Sequence, residues 1–319
     1  MGSPVYSLVD MAKPTFDPGL TQQYTGILRR AINKDGSFNV ARRGTGWRDI
    51  HPYLHLISLP WPSFLALVFT AYLAVNTLFA ALYYALGPGH LAGGDGPHKL
   101  DRFLNAFFFS AHTLTTVGYG NIAPGTISAN VYAVIEALIG LLGFALVTGV
   151  LFGRFSRPSA RIGFSEQALI APYEGRTSLQ FRIVNRRPNA LMEMEATVIL
   201  MLVEGEPGKQ RRTFKGLPLE RDEVDFLALT WTIVHPIDEE SPLFGKTKQE
   251  LEQKQAEVIV LIKGFDETFS QSVRARYSYR FDEIDWNAKF TPAFEFDQTG
   301  NMVLNVNKVG SHAPVEPEA

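Results

Sequence analysis

Six consecutive residues, Thr115-Thr116-Val117-Gly118-Tyr119-Gly120, offer chemistry found nowhere else in the chain. A K⁺ ion stripped of water needs oxygen ligands in place of its hydration shell, and backbone carbonyls aimed to one side of a strand supply them. Such a strand needs residues that tolerate left-handed φ, which Gly118 and Gly120 do without steric cost. Thr116 adds a hydroxyl below the carbonyls, while Val117 and Tyr119 would point away as packing that fixes the diameter. One chain contributes one strand, so a closed ring of ligands requires a symmetric oligomer. The alternative for this segment is a glycine-rich re-entrant turn that only packs.

Ligands of this kind have to be held within a membrane. The chain has 319 residues, no cysteine and a net charge of −2, and its mean hydropathy of +0.00 looks like that of a soluble protein. That average hides a segregation: from Ser58 to Gly153 the only charged residues are Asp95, Lys99, Asp101, Arg102 and Glu136. Within this stretch the apolar runs predict an outer helix over 60–86 and an inner helix over 127–157, each long enough for a hydrocarbon core of about 30 Å. Between them Phe103 to Thr116 is too short to span. It predicts a re-entrant pore helix over 102–115 that ends at a filter over 116–120, with the negative end of its dipole favouring a cation beneath. Trp47, Ile50, Leu54 and Ile57 recur at near-helical spacing, so 47–58 is expected as an interfacial helix at the membrane surface. A soluble surface helix is the alternative, and the direct run into the first span weighs against it. Arginines flank both spans on the same side (Arg42, Arg43 and Arg48; Arg154, Arg157 and Arg161), which predicts that both termini are cytoplasmic.

Residues 59–157 thus form the transmembrane pore domain, and from Pro158 the composition changes. Leu179 to Val184 and Ser272 to Phe281 alternate apolar and polar, and Thr197 to Val203, Phe226 to Val234 and Val258 to Ile262 are β-branched or aromatic runs. With turns at Glu174-Gly175, Glu206-Pro207-Gly208 and Lys263-Gly264, these predict a β-sandwich domain over 158–308. Residues 1–46 read as a flexible N-terminus without a signal peptide, and 309–319 as a disordered tail. The absence of cysteine excludes disulfides and thiolate chemistry, and the near-neutral charge gives no reason to bind nucleic acid. No triad, phosphate loop or metal cluster is visible, so neither an enzyme nor a cofactor beyond bound K⁺ is expected. His51 and His55, spaced i and i+4, lack a third ligand, and His235 reads as a packing residue.

Three segments carry a family resemblance. Trp47-Arg48-Asp49 before the first span, Gly153-Arg154-Phe155-Ser156-Arg157-Pro158 after the second, and the run Trp231-Thr232-Ile233-Val234-His235-Pro236-Ile237-Asp238-Glu239-Glu240-Ser241-Pro242-Leu243 resemble prokaryotic inward-rectifier potassium channels, the Kir family. Thr116 to Gly120 also has the general form of K⁺ filter loops. The resemblance implies a membrane all-α two-span pore domain with a re-entrant pore helix, plus a cytoplasmic all-β immunoglobulin-like sandwich. It implies a homotetramer in the bacterial inner membrane that passes K⁺ passively, with K⁺ held at Thr116, Val117, Gly118 and Tyr119. Phe144, Thr148 and Phe152, on roughly one helix face, would line the cavity, Phe152 as the bundle-crossing gate. Gly140, Gly143 and Gly149 would be bending points, and Arg48, Arg154 and Arg157 ligands for phosphoinositide-like anionic head groups. Gating would be set by the cytoplasmic domain and anionic lipid. The alternatives are close helix packing for the glycines, lipid-facing bulk for Phe152 and plain topological charge for the arginines.

Departures from the family are equally specific. Phe144 stands where strongly rectifying relatives place an acidic residue, and His112 and Ile122 replace a pore-helix glutamate and a post-filter arginine. Without cysteine, the extracellular disulfide of animal members cannot form. Glu136 exposed to lipid would cost about 2.5–3.5 kcal/mol, so it is expected to face protein, near Thr115 or His112. A membrane-anchored sensing module with a vestigial pore is a competing reading, and the intact TTVGYG weighs against it.

Overall fold

Four helices account for the apolar stretch in the computed structural model: α1 (Pro52–Ser58), α2 (Trp61–Leu86), α3 (Lys99–Leu114) and α4 (Ile127–Phe155). The structure describes residues 18–24, 26, 30–44, 46, 51–156 and 161–315. They divide into two units, one within 42–157 and one made of residues before 42 and from 158 onward. Proline sits in the first turn of α1 and of α2, where a missing N–H costs nothing. At 26 and 29 residues, α2 and α4 are long and apolar enough to cross a membrane. The first four residues expected in the interfacial helix, 47–50, lie outside the described residues, as does Arg157 at the expected end of the inner helix.

The pore helix starts earlier than the sequence suggested, at Lys99 rather than 102. Asp101 is the cause: its carboxylate accepts the His98 backbone N–H at 3.1 Å and sits at the positive end of the helix dipole. Two short strands, β1 (Leu91–Ala92) ahead of α3 and β2 (Ala123–Pro124) beyond residues 116–120, pair and tie the loop before α3 to the loop after that segment. Phe79, Ala80 and Tyr83 of α2 then pack with Ala106 and Phe109 of α3 and Ala129 of α4 as the core of this unit.

The second unit is a sandwich of two five-stranded sheets. One has β3 (Ile162–Phe164), β4 (Ala168–Tyr173), β5 (Arg176–Asn185), β9 (Thr230–Ile237) and β12 (Ile284–Trp286); the other has β6 (Leu191–Glu204), β7 (Arg211–Gly216), β8 (Glu223–Phe226), β10 (Glu257–Asp266) and β11 (Gln271–Arg280). A short helix, α5 (Lys248–Gln253), precedes β10. Leu179, Phe181 and Ile183 of β5 meet Val198, Leu200 and Leu202 of β6 in the core between the sheets. Four short strands follow β12: β13 (Ala288–Phe290), the hairpin of β14 (Phe294–Phe296) and β15 (Met302–Leu304), and β16 (His312–Pro314).

Three expectations need correction. Lys263-Gly264 is not a turn but lies inside β10, where the register with β6 shifts; a side chain on Gly264 would overlap the Met194 sulfur. The C-terminal tail is not disordered up to Val315, because β16 pairs with β13 and Val309 is buried. Nor is the whole N-terminus free. β6 is apolar on both faces, and Ile32 covers the second face by packing on Ile199, Met201 and Ile259. Ala31 N–H donates to both Glu257 carboxylate oxygens at 3.0 Å, Ser278 Oγ donates to the Ile32 carbonyl at 2.8 Å, and Glu283 pairs with Arg30 and Lys34.

His235 explains part of the Trp231–Leu243 run. The ring is 3% exposed. Its Nδ1 is 2.5 Å from the Pro218 carbonyl, which can only accept, so Nδ1 carries the proton. Nε2 then accepts from the Ser241 hydroxyl at 2.8 Å, and Ser241 Oγ accepts the Leu243 N–H at 3.1 Å. One neutral imidazole thereby fixes the following loop. Burial holds its pKa below the ordinary histidine value, outweighing the upward pull of the Pro218 bond and Asp238. Because the unfolded chain takes up the proton first, stability is full above about pH 6.5 and is lost as the pH falls below it. We expect His235→Ala to destabilise by about 1–3 kcal/mol and to flatten that acid-side slope, measured as unfolding temperature against pH.

Candidate functional site

The filter segment follows directly from the last turn of α3. Thr115 caps the helix, its N–H donating to the Ala111 carbonyl at 3.2 Å and its hydroxyl to the same oxygen at 2.7 Å. Beyond it φ alternates in sign: Thr116, Gly118 and Gly120 stand at +60°, +56° and +82°, whereas Val117 and Tyr119 are not in the positive region. Alternating handedness turns successive N–H groups to one side of a strand, and therefore successive carbonyls to the other. Gly118 and Gly120 were legible as left-handed positions. Thr116 was not, since a β-branched residue at positive φ is uncommon and costs roughly 1–3 kcal/mol.

The N–H side is anchored. Val117 and Gly118 both donate to the His112 carbonyl, at 2.9 and 3.3 Å, and Thr116 donates to the Thr113 carbonyl at 3.1 Å. The His112 ring meets the Tyr119 ring edge to face at 4.8 Å. The pore helix thus has an aromatic contact to the 116–120 segment. Val117 and Tyr119 remain 51% and 74% exposed on a single chain.

Behind α3, Glu136 is fully buried, and it meets neither Thr115 nor His112. Its Oε2 accepts from Tyr83 OH at 2.8 Å, and its Oε1 is hydrogen-bonded to Ser110 Oγ. Ser110 Oγ is in turn 3.0 Å from Asn76 Oδ1, and Asn76 Nδ2 donates to the Tyr72 carbonyl at 2.7 Å. The correction has a geometric reason. One turn further along both helices, Gly140 meets Leu114, and a methyl on Gly140 would overlap the Leu114 carbonyl oxygen. The pairs 136/110 and 140/114 keep one spacing, so α3 and α4 run the same way and Glu136 reaches Ser110, a turn short of the filter. Gly140 is needed for this close approach, whereas Gly143 and Gly149 have open space beside them in the chain.

On another face of α4, Phe144 and Phe152 are 75% and 72% exposed, and Thr148 lies exposed between them. The face turned inward carries Ala129, Glu136, Gly140 and Val150. At the end of α4, Arg154 is not a free cation. Its Nη1 donates to the Leu56 carbonyl at 2.6 Å and its Nη2 to the Leu59 carbonyl at 2.7 Å. The guanidinium lies 4.6 Å from the ring centres of both Trp61 and Phe64. Arg154 therefore closes the C-terminal end of α1 and fastens the α1–α2 corner to α4. Arg48 and Arg157, the other two arginines expected at a lipid site, lie outside the described residues. Among the described residues no group of three or more His, Asp or Glu could hold a metal ion.

Residues 162–318 match the family model for the inward rectifier potassium channel C-terminal domain, and residues 64–157 match the one described as ion channel. The chain is 37% identical over 283 residues to the inward rectifier potassium channel Kirbac3.1 of Paramagnetospirillum magnetotacticum, covering 88% of this chain and 94% of that one. It is 33% identical over 224 residues to inward rectifier potassium channel 4 of Rattus norvegicus, covering 65% of this chain and 50% of that one. Against inward rectifier potassium channel 18 of Homo sapiens the identity is 27% over 292 residues, with 82% and 66% covered.

Two substitutions test this geometry. Gly140→Ala gains about 1 kcal/mol in helix propensity but overpacks the α3–α4 contact at a cost of about 1–3 kcal/mol, so the purified protein should unfold at lower temperature. Arg154→Lys keeps the charge but loses the two-pronged grip on Leu56 and Leu59. It should cost about 1–3 kcal/mol and make α1 exchange its amide hydrogens faster.

Proposed function

Because the chain belongs to the inward rectifier potassium channel family, we propose that four copies close residues 116–120 into rings of carbonyls that pass K⁺ across the bacterial inner membrane. The observation that carries this reading is the alternation of φ along Thr116 to Gly120, in a strand hung from a re-entrant helix between two spans. K⁺ loses its water to the carbonyls of Thr116, Val117, Gly118 and Tyr119, and the dipole of α3 lowers the energy of a cation beneath the filter. The exposed Val117 and Tyr119 side chains favour assembly, since neighbouring subunits supply the packing a single chain lacks. No covalent step is involved: the matched families and relatives are ion channels and not enzymes.

Phe144, Thr148 and Phe152 face the ion path, and four Phe152 rings shut it by excluding water. Gly143 and Gly149 give α4 room to bend. Both termini lie in the cytoplasm, where the C-terminal β domain and anionic lipid set the gate. Arg48 and Arg157 attract the lipid head groups, each worth about 1 kcal/mol near an anionic leaflet. Arg154 serves the same region from within, through α1. Phe144 offers no carboxylate to hold Mg²⁺ or a polyamine, so rectification by cavity block is weak.

Purified protein in liposomes should take up Rb⁺ in a Ba²⁺-sensitive manner and exclude Na⁺, with larger uptake by Phe152→Ala. Equal passage of Na⁺ would defeat the filter assignment. No flux in any lipid composition or at any pH would defeat the pore itself.

A further inference from the structure

The buried cluster behind the filter has more hydrogen bonds than an ionised glutamate can supply protons for. Ser110 has one hydroxyl proton, yet its Oγ lies within bonding distance of two oxygens, Asn76 Oδ1 at 3.0 Å and Glu136 Oε1. Turning the Asn76 amide over does not help, because its other terminal atom stands 2.7 Å from the Tyr72 carbonyl, which can only accept. The Tyr83 proton is already engaged on Glu136 Oε2 at 2.8 Å. One more proton is required, and Glu136 Oε1 is the atom placed to carry it. No cation answers this carboxyl among the described residues; its two partners are hydroxyls, and Tyr83 is itself packed against Phe109 of α3 and Tyr132 of α4.

We propose that Glu136 is a neutral carboxylic acid that acts as a positioning residue for the filter, an inference that rests on reading residues 116–120 as that filter. The hydrogen bonds then run in one direction. Glu136 Oε1–H donates to Ser110 Oγ, Ser110 donates to Asn76 Oδ1, Asn76 Nδ2 donates to the Tyr72 carbonyl, and Tyr83 donates to Glu136 Oε2. Every polar atom named has a partner of the right kind. The chain of bonds joins α4, α3 and α2 one helical turn before α3 ends at the filter. A donor does this where a charge would not: a carboxylate would leave Asn76 Oδ1 or Glu136 Oε1 without a proton and place a full negative charge behind the ion path. With the proton in place, K⁺ meets only backbone carbonyls and the dipole of α3.

Infrared spectroscopy of the full-length protein in liposomes at about pH 8, where exposed carboxyls are ionised, tests the proton. We expect a carboxylic-acid C=O band that shifts with ¹³C-glutamate labelling and is missing from Glu136→Gln. A spectrum with no ¹³C-sensitive acid band overturns the proposal, and this reading needs no variant to fold. Positioning is tested by rescue. Glu136→Gln presents an N–H to Ser110 and an oxygen to Tyr83, so it should keep the wild-type preference for Rb⁺ over Na⁺. Ser110→Ala cuts the chain of bonds and should lower that preference about tenfold, the equivalent of one buried hydrogen bond. If Glu136→Gln loses as much as Ser110→Ala, the charge was needed and the proposal falls. A band present in a protein that conducts nothing supports the proton and counts against the pore reading, so the two failures are distinguishable.

Discussion

A strand without a sheet has to find partners for its backbone elsewhere, and within a bilayer water does not provide them. The segment 116–120 is such a strand, and the proposed filter role requires it to leave its carbonyls free for an ion. Its N–H groups therefore carry the whole burden of support. The structure meets that requirement with two carbonyls of α3: that of His112 receives the N–H groups of both Val117 and Gly118, and that of Thr113 receives the N–H of Thr116. Alternating φ makes the arrangement possible, since it separates the two kinds of backbone group onto opposite sides. The position of the filter is consequently the position of the last turn of α3.

The rest of the membrane unit can be understood as what holds that turn. Asp101 fixes where α3 begins, and the pairing of β1 with β2 closes the loops on either side of it. From behind, Gly140 brings α4 into contact with Leu114, and the Glu136–Ser110–Asn76 chain adds directed bonds one turn earlier. The two contacts are complementary in kind. Close packing fixes distance but tolerates sliding, whereas hydrogen bonds between short side chains fix register. Arg154 performs a similar task at the opposite end of α4, where it fastens the α1–α2 corner by two carbonyls and two aromatic rings.

What the sequence made legible follows from which properties are local. The spans were visible because charge is segregated along the chain, and the filter because Gly118 and Gly120 advertise their backbone freedom. Thr116 at positive φ could not be read from its type, which argues the other way. For Glu136 the cost of lipid exposure forced burial, but its partner depended on the relative direction and phase of α3 and α4, which no single segment encodes. Arg154 shows a related limit: its charge and place suggested a head group, while its neighbours were set by a turn nearly a hundred residues earlier in the chain. In the β domain, Gly264 was read as a turn because a glycine beside a lysine looks like one, yet its reason is the Met194 sulfur on the next strand. The N-terminal segment was read as flexible because residues 1–46 are polar with little apolar periodicity; the burial of Ile32 depends on the outer face of β6, far away in sequence.

In the proposed pore, dehydrated K⁺ is held by the carbonyls of Thr116, Val117, Gly118 and Tyr119. Crystals of the full-length protein grown in Rb⁺, recorded with anomalous scattering, test it most directly. A row of Rb⁺ ions is expected on the symmetry axis, each ligated by these carbonyl oxygens with no water between. Ions found only with water in their first coordination shell, or only away from these four residues, would contradict it.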